Sequence, residues 1–242
     1  MTASERTKKF ICDAFKELCK QKPYSKVNVK DIIAKCEMSK ATFYYHFRDK
    51  QDVVNYIFYN DIVVPTHDMI SAGNVPEWTH IIEFSLKKML NDRHLYIPAM
   101  RDTGQNNLEE YSLSQTIDCW MHMSTKLFAD KEKPCEKSAA LIEYLYEFFA
   151  RGEHSSVIKW VRGGMKEPPE VISFLINYCS VGVANLAMFI AEEDTLANSD
   201  IPIDQFYSKV TSRSDIIRRK AASKNGSDLI TSYIHSSDNA YP

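Results

Sequence analysis

The sequence predicts an all-α protein, in which a short N-terminal unit of three helices is followed by a larger helical body. Apolar residues recur three and four positions apart along most of the chain, which is the spacing of helices that bury one face. No segment alternates apolar and polar residues for long enough to favour a β-sheet. With 242 residues, 44% of them apolar, the chain can bury a core without disulfide or metal support.

Capping residues define the first two helices. Thr2 and Glu5 have the spacing of a capping box, and Pro23 indicates that the first helix ends near residue 21, because the residue before a proline avoids the helical conformation. Asn28 can cap a second helix, in which Asp31 lies near the positive end of the helix dipole.

A short break at residues 37–39 separates the second helix from a third. Ser39 can cap the third helix, and Phe43 and Phe47, four residues apart, indicate its buried face. Asp49 can cap a fourth helix, which we expect to end near Pro65. The remaining pattern predicts helices at about 76–90, 92–102, 106–129, 136–163 and 168–193.

Two short helices joined by a tight turn have the layout of a helix-turn-helix, whose second helix presents polar side chains to DNA. Lys40 supplies positive charge here, and Tyr44 and Tyr45 can donate hydrogen bonds to phosphates. Residues 1–50 contain twelve Lys and Arg against six Asp and Glu, whereas residues 51–242 contain 18 Lys and Arg against 26 Asp and Glu. This distribution favours binding of a polyanion by the N-terminal end. By periodicity and charge alone, a solvated polar helix face fits as well.

The stretch VNVKDIIAKCEMSKATFYYHF at residues 27–47, followed by Lys50, resembles the N-terminal DNA-binding domain of TetR-family transcriptional regulators. The resemblance covers about residues 6–59. It departs from the family pattern at Glu37, where a glycine is common, and this puts affinity for DNA in doubt. The resemblance implies DNA contacts at Val29, Lys30, Ser39, Lys40, Ala41, Thr42, Tyr44, Tyr45, His46 and Lys50.

The body is expected to form a dimer. Residues 171–191 carry no charge, and such a helix can be buried on two sides, by its own domain and by a partner. A membrane span and an ordinary core helix are the alternatives, and interruption by polar residues with no basic flank speaks against the span. The expected interface residues are Leu145, Phe149, Trp160, Phe174, Val181, Ala184 and Met188.

Residues 156–170 are similar to the C-terminal domain of the subgroup that includes regulators of dihydroxyacetone kinase operons. By family resemblance, the body would also bind a small-molecule effector, of a kind that the sequence does not identify. Aromatic and methionine side chains could line its pocket, although at helical spacing such side chains are more often plain core. The expected pocket residues are Trp78, Phe84, Tyr96, Met100, Trp120 and Met121.

Enzymatic activity is not expected. No glycine precedes Gly73 and no GxG occurs, so a glycine-rich phosphate-binding turn is absent from the N-terminal third. The cysteines and histidines lack metal-ligand spacing, and no nucleophilic catalytic motif is present. We therefore expect no cofactor and no metal.

Three regions follow from this interpretation: a DNA-binding domain at residues 1–50, an effector-binding and dimerisation domain at 51–195, and a polar tail at 196–242. The family resemblance implies a cytoplasmic homodimer, with no membrane partner, that binds a pseudo-palindromic operator and acts as an effector-responsive repressor. A transcriptional activator, or a co-regulatory protein of the same fold that binds a partner instead of DNA, is the alternative.

Overall fold

The computed structural model describes residues 1–73, 79–129 and 133–192, and all regular elements in these ranges are helical. This confirms the predicted all-α class. The helices are α1 (Ala3–Gln21), α2 (Val29–Lys35), α3 (Lys40–His46), α4 (Lys50–Phe58), α5 (Val64–Ala72), α6 (Thr79–Asn91), α7 (Arg93–Ala99), α8 (Leu108–Leu127), α9 (Glu136–Arg162) and α10 (Pro169–Glu192), with a 3-10 turn at Tyr24–Lys26 and a π-helical segment at Tyr59–Val63.

The predicted helix caps in the first fifty residues are present. The Thr2 amide donates to Glu5 at 2.6 Å and the Glu5 amide donates to the Thr2 hydroxyl at 3.2 Å, which completes the capping box. Asn28 and Asp31 form a second capping box at α2. Ser39 caps α3 by accepting from the amide of Thr42 at 3.0 Å.

Helices α1 to α4 enclose the apolar residues that the helical spacing places inward. Ile11 and Phe15 of α1, Ile32 of α2 and Phe43 of α3 are fully buried, and Val53 of α4 completes the group. We call residues 1–58 the head. The head core continues into that of the body, the described residues from 59 onward, since one cluster also includes residues of α6 to α9.

The fourth helix does not end near Pro65, so this expectation is wrong. After α4 the chain passes through the π-helical segment directly into α5, which has Pro65 in its first turn. In the widened turn the amide of Val64 donates to the carbonyl of Tyr59, five residues back. Pro65, which has no amide hydrogen, follows this change of register and therefore does not break the helix.

The body is built around α8, α9 and α10, with α6 packed against α10. The ring of Trp120 on α8 stacks on Tyr146 of α9 at 5.7 Å between centroids and meets Phe149 edge-on at 4.9 Å. Ala150 and Ala187 are fully buried in the same cluster, where small side chains allow the helices to approach closely.

Helix α10 is uncharged over most of its length. Within the described ranges, one helix, Pro169–Ala191, is long enough and apolar enough to cross a membrane, with a mean hydropathy of 1.7. Of its most apolar window, 22% is buried within the chain. The predicted start of the helix at about 76–90 and the predicted tail at 196–242 lie outside the described residues.

Candidate nucleic-acid interface and internal cavity

The turn between α2 and α3 has the hydrogen bonds of a helix-ending Schellman motif. The amide of Met38 donates to the carbonyl of Ile33 at 3.2 Å, and the amide of Glu37 donates to that of Ala34, also at 3.2 Å. Glu37 lies at the position with left-handed backbone, φ 50°, where glycine is favoured. The turn therefore keeps its geometry without a glycine, and the Glu37 side chain is exposed.

Helix α3 divides into a buried side and an exposed side. Phe43 is fully buried and Phe47 is 2% exposed, whereas Tyr44 is 48% and Tyr45 is 82% exposed. Large exposed aromatic side chains on one helix face indicate a surface that meets another molecule. Lys40 lies on the same side, with its ammonium 5.8 Å from the centre of the Tyr44 ring.

The other expected contact residues of the head are distributed around this face. Ala41 and Ser39 are exposed, and Thr42 and His46 are half-buried. We call the exposed and half-buried residues of 39–46 the recognition face. At the start of α2, Lys30 is exposed and Val29 is half-buried against the head core.

Lys50 lies beyond the recognition face, over the ring of Tyr24. Its ammonium is 4.0 Å from the ring centre and 3.4 Å from the Tyr24 carbonyl oxygen. The Tyr24 hydroxyl donates to Gln51 at 2.7 Å, and the Gln51 amide donates to Asp102 of the body at 2.6 Å. Lys50 is thus held by residues that also join the head to the body; Tyr24 was not expected to contribute.

The body contains a cavity of about 130 Å³ between α4 to α6 and α8 to α10. Of the expected pocket residues, Met100 and Trp120 line it. Phe84, Tyr96 and Met121 do not, which corrects that part of the prediction: Tyr96 is fully buried beside Phe58, and Met121 packs against the Trp120 cluster. Trp78 lies outside the described residues.

Most of the cavity lining is apolar, but two hydrogen-bonded polar pairs also line it, one buried and one partly buried. The indole N–H of Trp120 donates to the Glu153 carboxylate at 2.6 Å, and the Ser112 hydroxyl lies 2.9 Å from Nε2 of His154. Burial raises the pKa of Glu153 to about 7 and lowers the pKa of His154. The cavity therefore contains an acidic group that is close to its titration point at neutral pH.

Glu153 was missed by the sequence reasoning, although its position carried a signal. It lies three residues after Ala150 and four before Val157, on the side of α9 that is apolar elsewhere. A carboxylate at this spacing lies on the core side of the helix, so the spacing could have predicted that Glu153 is at least partly buried. His154, the next residue, is buried and hydrogen-bonded.

The exposed apolar side chains of α9 do not coincide with the expected dimer interface. Leu141, Tyr144 and Phe148 are 49%, 76% and 72% exposed, and on α10 Leu175 and Tyr178 are 50% and 45% exposed. Spacings of three and four residues place each set on one helix face. We call these five residues the apolar stripe.

Trp160 requires a correction, because it is 3% exposed and its indole N–H donates to the Glu167 carbonyl at 2.9 Å. Its side chain belongs to the core of its own chain and is closed to a partner. The other expected interface residues are half-buried: Leu145, Phe149, Phe174, Val181, Ala184 and Met188. Since α9 carries apolar residues around most of its circumference, spacing alone did not decide which of them face outward.

Two family models match the chain. The model described as "Bacterial regulatory proteins, tetR family" matches residues 11–57, which contain the helix-turn-helix. The model described as "Transcriptional regulator C-terminal region" matches residues 76–182 of the body. Both describe regulators of transcription.

A curated relative, "HTH-type dhaKLM operon transcriptional activator DhaS" of Lactococcus lactis subsp. lactis (strain IL1403), is 26% identical over 133 residues. The match covers 55% of this chain and 66% of the relative, slightly less than two thirds of its length. A solved structure, "Dihydroxyacetone kinase operon activator DhaS", is similar with a TM-score of 0.52 and 18% identity, covering 77% of this chain and 96% of that chain.

The structural likeness shows a shared fold, and the family matches cover both the head and most of the body. The resemblance of residues 27–47 to the TetR DNA-binding domain is thereby confirmed. The chain belongs to the TetR family of transcriptional regulators.

Proposed function

We propose that the chain is a dimeric regulator of transcription that binds a pseudo-palindromic DNA operator through the recognition face of each head. The observation that carries this proposal is the exposure of Tyr44 and Tyr45 beside Lys40, on a helix whose other side is anchored by Phe43. A helix held in this way can enter a major groove with its polar side chains toward the bases and phosphates.

The dimer forms, in this proposal, when the apolar stripe of one chain packs on a second copy. Tyr144 and Phe148 are exposed together with the uncharged face of α10, and an apolar surface of this kind on a soluble protein is typical of an interface. A second copy is the occupant that this fits, since two heads related by a two-fold axis match the symmetry of an inverted repeat. This interface leaves out Trp160, which the sequence analysis had included among seven interface residues.

The cavity provides a route by which a small molecule can alter DNA binding. Phe58, at the end of α4, and Ile62 and Val63 in the π-helical segment line the cavity. They belong to a continuous helical stretch that begins at Lys50 in the head. We propose that an effector in the cavity favours one position of this stretch, and so one spacing of the two heads.

The direction of regulation has two candidates. The family resemblance implies a repressor, while the matched relative is named a transcriptional activator. The recognition face serves either role, because the position of the operator relative to the promoter decides between them. A reporter gene under the chain's own upstream DNA, with and without the chain, separates the two: repression lowers and activation raises expression.

The proposal includes three further properties: the chain is not an enzyme, it is cytoplasmic, and it has no membrane partner. Both matched families are described as regulators, and access to chromosomal DNA requires the compartment that contains it. The exposed apolar surface of α10 is assigned to the second copy and not to lipid, because polar residues interrupt it and Glu170 precedes it.

The proposal is tested by gel shift on DNA from upstream of the chain's own gene. Lys40→Ala and Tyr44→Ala are each expected to weaken binding without unfolding the protein, because both side chains face away from the core. Lys126→Ala, which removes an exposed lysine far along the body, is the matched control. Unchanged affinity in both head variants contradicts the site, and absence of any protected DNA favours a partner-binding co-regulator.

A further inference from the structure

Glu153 carries a carboxylate into a cavity that is otherwise largely apolar. One of its oxygens accepts the indole N–H of Trp120 at 2.6 Å, and its side chain lines the cavity wall. A carboxylate has about four acceptor sites, so one indole donor leaves capacity for a further donor. The carboxylate therefore has room to bind a hydrogen-bond donor that enters the cavity.

The charge inside the cavity has one sign. None of the described residues that line it is Lys or Arg. His154 lines the wall beside Glu153, but it is engaged with Ser112, and burial lowers its pKa, which favours the neutral ring. Cys119 of α8 has its pKa raised to about 12 by burial and by Glu153, so its thiol stays neutral. Glu153 is the ionisable group that sets the charge.

Elements other than α8 and α9 contribute no described ionisable side chain to the wall. The lining residues of α4, the π-helical segment, α5, α6 and α10 are apolar, hydroxyl or amide in kind. An anion would thus meet no positive charge and would face a carboxylate. A cation would meet one acidic partner in surroundings of low dielectric, where the attraction is stronger than in water.

Resting on the proposed function, we propose that the effector of this cavity is a small primary amine, with an apolar body about the size of one ring and one ammonium group that donates to the Glu153 carboxylate. The volume of about 130 Å³ sets the size. An apolar cavity of roughly 150 Å³ holds benzene, so at about 130 Å³ a single ring is the upper limit for the apolar body.

An ammonium group is favoured over a hydroxyl group because only the ammonium compensates the negative charge of the carboxylate. Burial disfavours the charged form of Glu153, and a neutral alcohol leaves that charge uncompensated. An ammonium supplies both the opposite charge and three N–H donors. Charge-assisted hydrogen bonds of this kind are about twice as strong as neutral ones, which separates an amine from an isosteric alcohol.

The test uses three probes of nearly equal shape: benzylamine, benzyl alcohol and benzoate. Binding to the full chain, free of DNA, is followed by NMR of the Trp120 indole N–H, which donates directly to Glu153. The resonance is assigned with Trp120→Phe. This measurement contains no DNA, so its outcome does not depend on DNA binding. Failure of the chain to bind DNA would overturn the proposed function but would leave the amine-binding result unchanged.

Benzylamine is expected to bind and to shift the Trp120 resonance, with benzyl alcohol weaker by roughly tenfold or more, as expected when a charged hydrogen bond is lost. Glu153→Gln should reduce the affinity for benzylamine to that for benzyl alcohol. Glu143→Gln, on an exposed position of the same helix, is the matched control and should leave binding unchanged. A retained, dispersed indole resonance in Glu153→Gln shows that the variant is folded.

A second measurement needs no variant. Since the pKa of Glu153 is about 7 before binding, benzylamine affinity should rise roughly tenfold from about pH 6 to about pH 8 as the carboxylate ionises. The affinity of benzyl alcohol should not rise. Equal binding of amine and alcohol, tighter binding of benzoate, no binding of any probe up to its solubility, or an unaltered pH profile in Glu153→Gln would each overturn the proposal.

Discussion

The ammonium group of Lys16 lies 2.9 Å from the carboxylate of Asp92, and the same ammonium also contacts Asp61. Lys16 belongs to α1 in the head, Asp61 to the π-helical segment, and Asp92 immediately precedes α7. All three side chains are between 18% and 23% exposed. One head residue is therefore tied by ion pairs to two separate elements of the body.

Replacing Lys16 by Met should lower the free energy of unfolding by about 1–2 kcal/mol, because two partly buried carboxylates lose their shared partner. Urea unfolding measures this. Lys9→Met removes an ion pair with Asp13 whose side chains are 63% and 57% exposed, and it should change stability far less. Equal effects of the two substitutions would contradict the role given to Lys16.

Glu37→Gly should stabilise the head by up to about 1 kcal/mol. The residue has a φ of 50°, which costs a side chain with a Cβ more than it costs glycine, although glycine loses more entropy on folding. Glu37→Ala removes the carboxylate but keeps the Cβ, so it should bring no such gain. Thermal unfolding of both variants separates backbone strain from charge, and a matching gain in the alanine variant would assign the effect to charge.

Lys50→Ala should reduce the salt dependence of operator binding by roughly one unit of slope in log Kd against log salt, if its ammonium neutralises one phosphate. The contact with Tyr24 holds this ammonium in place, so Lys50→Arg should keep the slope. Binding isotherms at several salt concentrations give the slopes. Parallel lines for Lys50→Ala and the parent protein would reject the phosphate contact.

Phe148→Glu should convert the proposed dimer to a monomer, because it places a charge within the apolar stripe, where the parent side chain is 72% exposed. Sedimentation velocity reports the change. Phe10→Glu is the matched control, since Phe10 is 53% exposed on α1 of the head and outside the stripe. A dimer that survives Phe148→Glu would move the interface elsewhere.

Glu153 should make stability depend on pH in a direction opposite to that of most carboxylates. Its folded-state pKa is raised from 4.5 to about 7, so the folded chain holds a proton that the unfolded chain releases. This contribution is complete below about pH 4.5 and is lost as the pH rises to about 7, up to about 3 kcal/mol in all.

Denaturant unfolding of the parent and Glu153→Gln at about pH 5 and about pH 8 isolates this contribution, because the remaining groups are common to both proteins. Relative to Glu153→Gln, the parent should be less stable at the higher pH than at the lower. A constant difference would mean that Glu153 ionises as freely in the folded chain as in the unfolded one.

The head was predictable because local chemistry determines it. Capping residues such as Thr2, Asn28 and Ser39 satisfy the first amides of each helix, and these requirements depend on residues a few positions away. The side of α3 that faces outward followed from the spacing of Phe43 and Phe47. Each of these features requires no knowledge of distant contacts.

The body was less predictable because its helices are apolar on more than one side. Rotation of α9 by a fraction of a turn decides whether Phe148 or Phe149 faces solvent, and packing against α8 and α10 sets that rotation. Pro65 was misread because the π-helical turn before it is a tertiary feature. Glu153 and Trp120 meet only after α8 and α9 pack together.

The central claim, that paired heads bind a symmetric DNA site, is tested most directly by selecting bound fragments from a library of random DNA. The parent protein should enrich an inverted repeat with half-site centres about one helical turn or more apart and two chains on each duplex. The Lys40→Ala, Tyr44→Ala double variant, selected in parallel, should enrich nothing. Enrichment of no sequence by the parent beyond that of the double variant would contradict the claim.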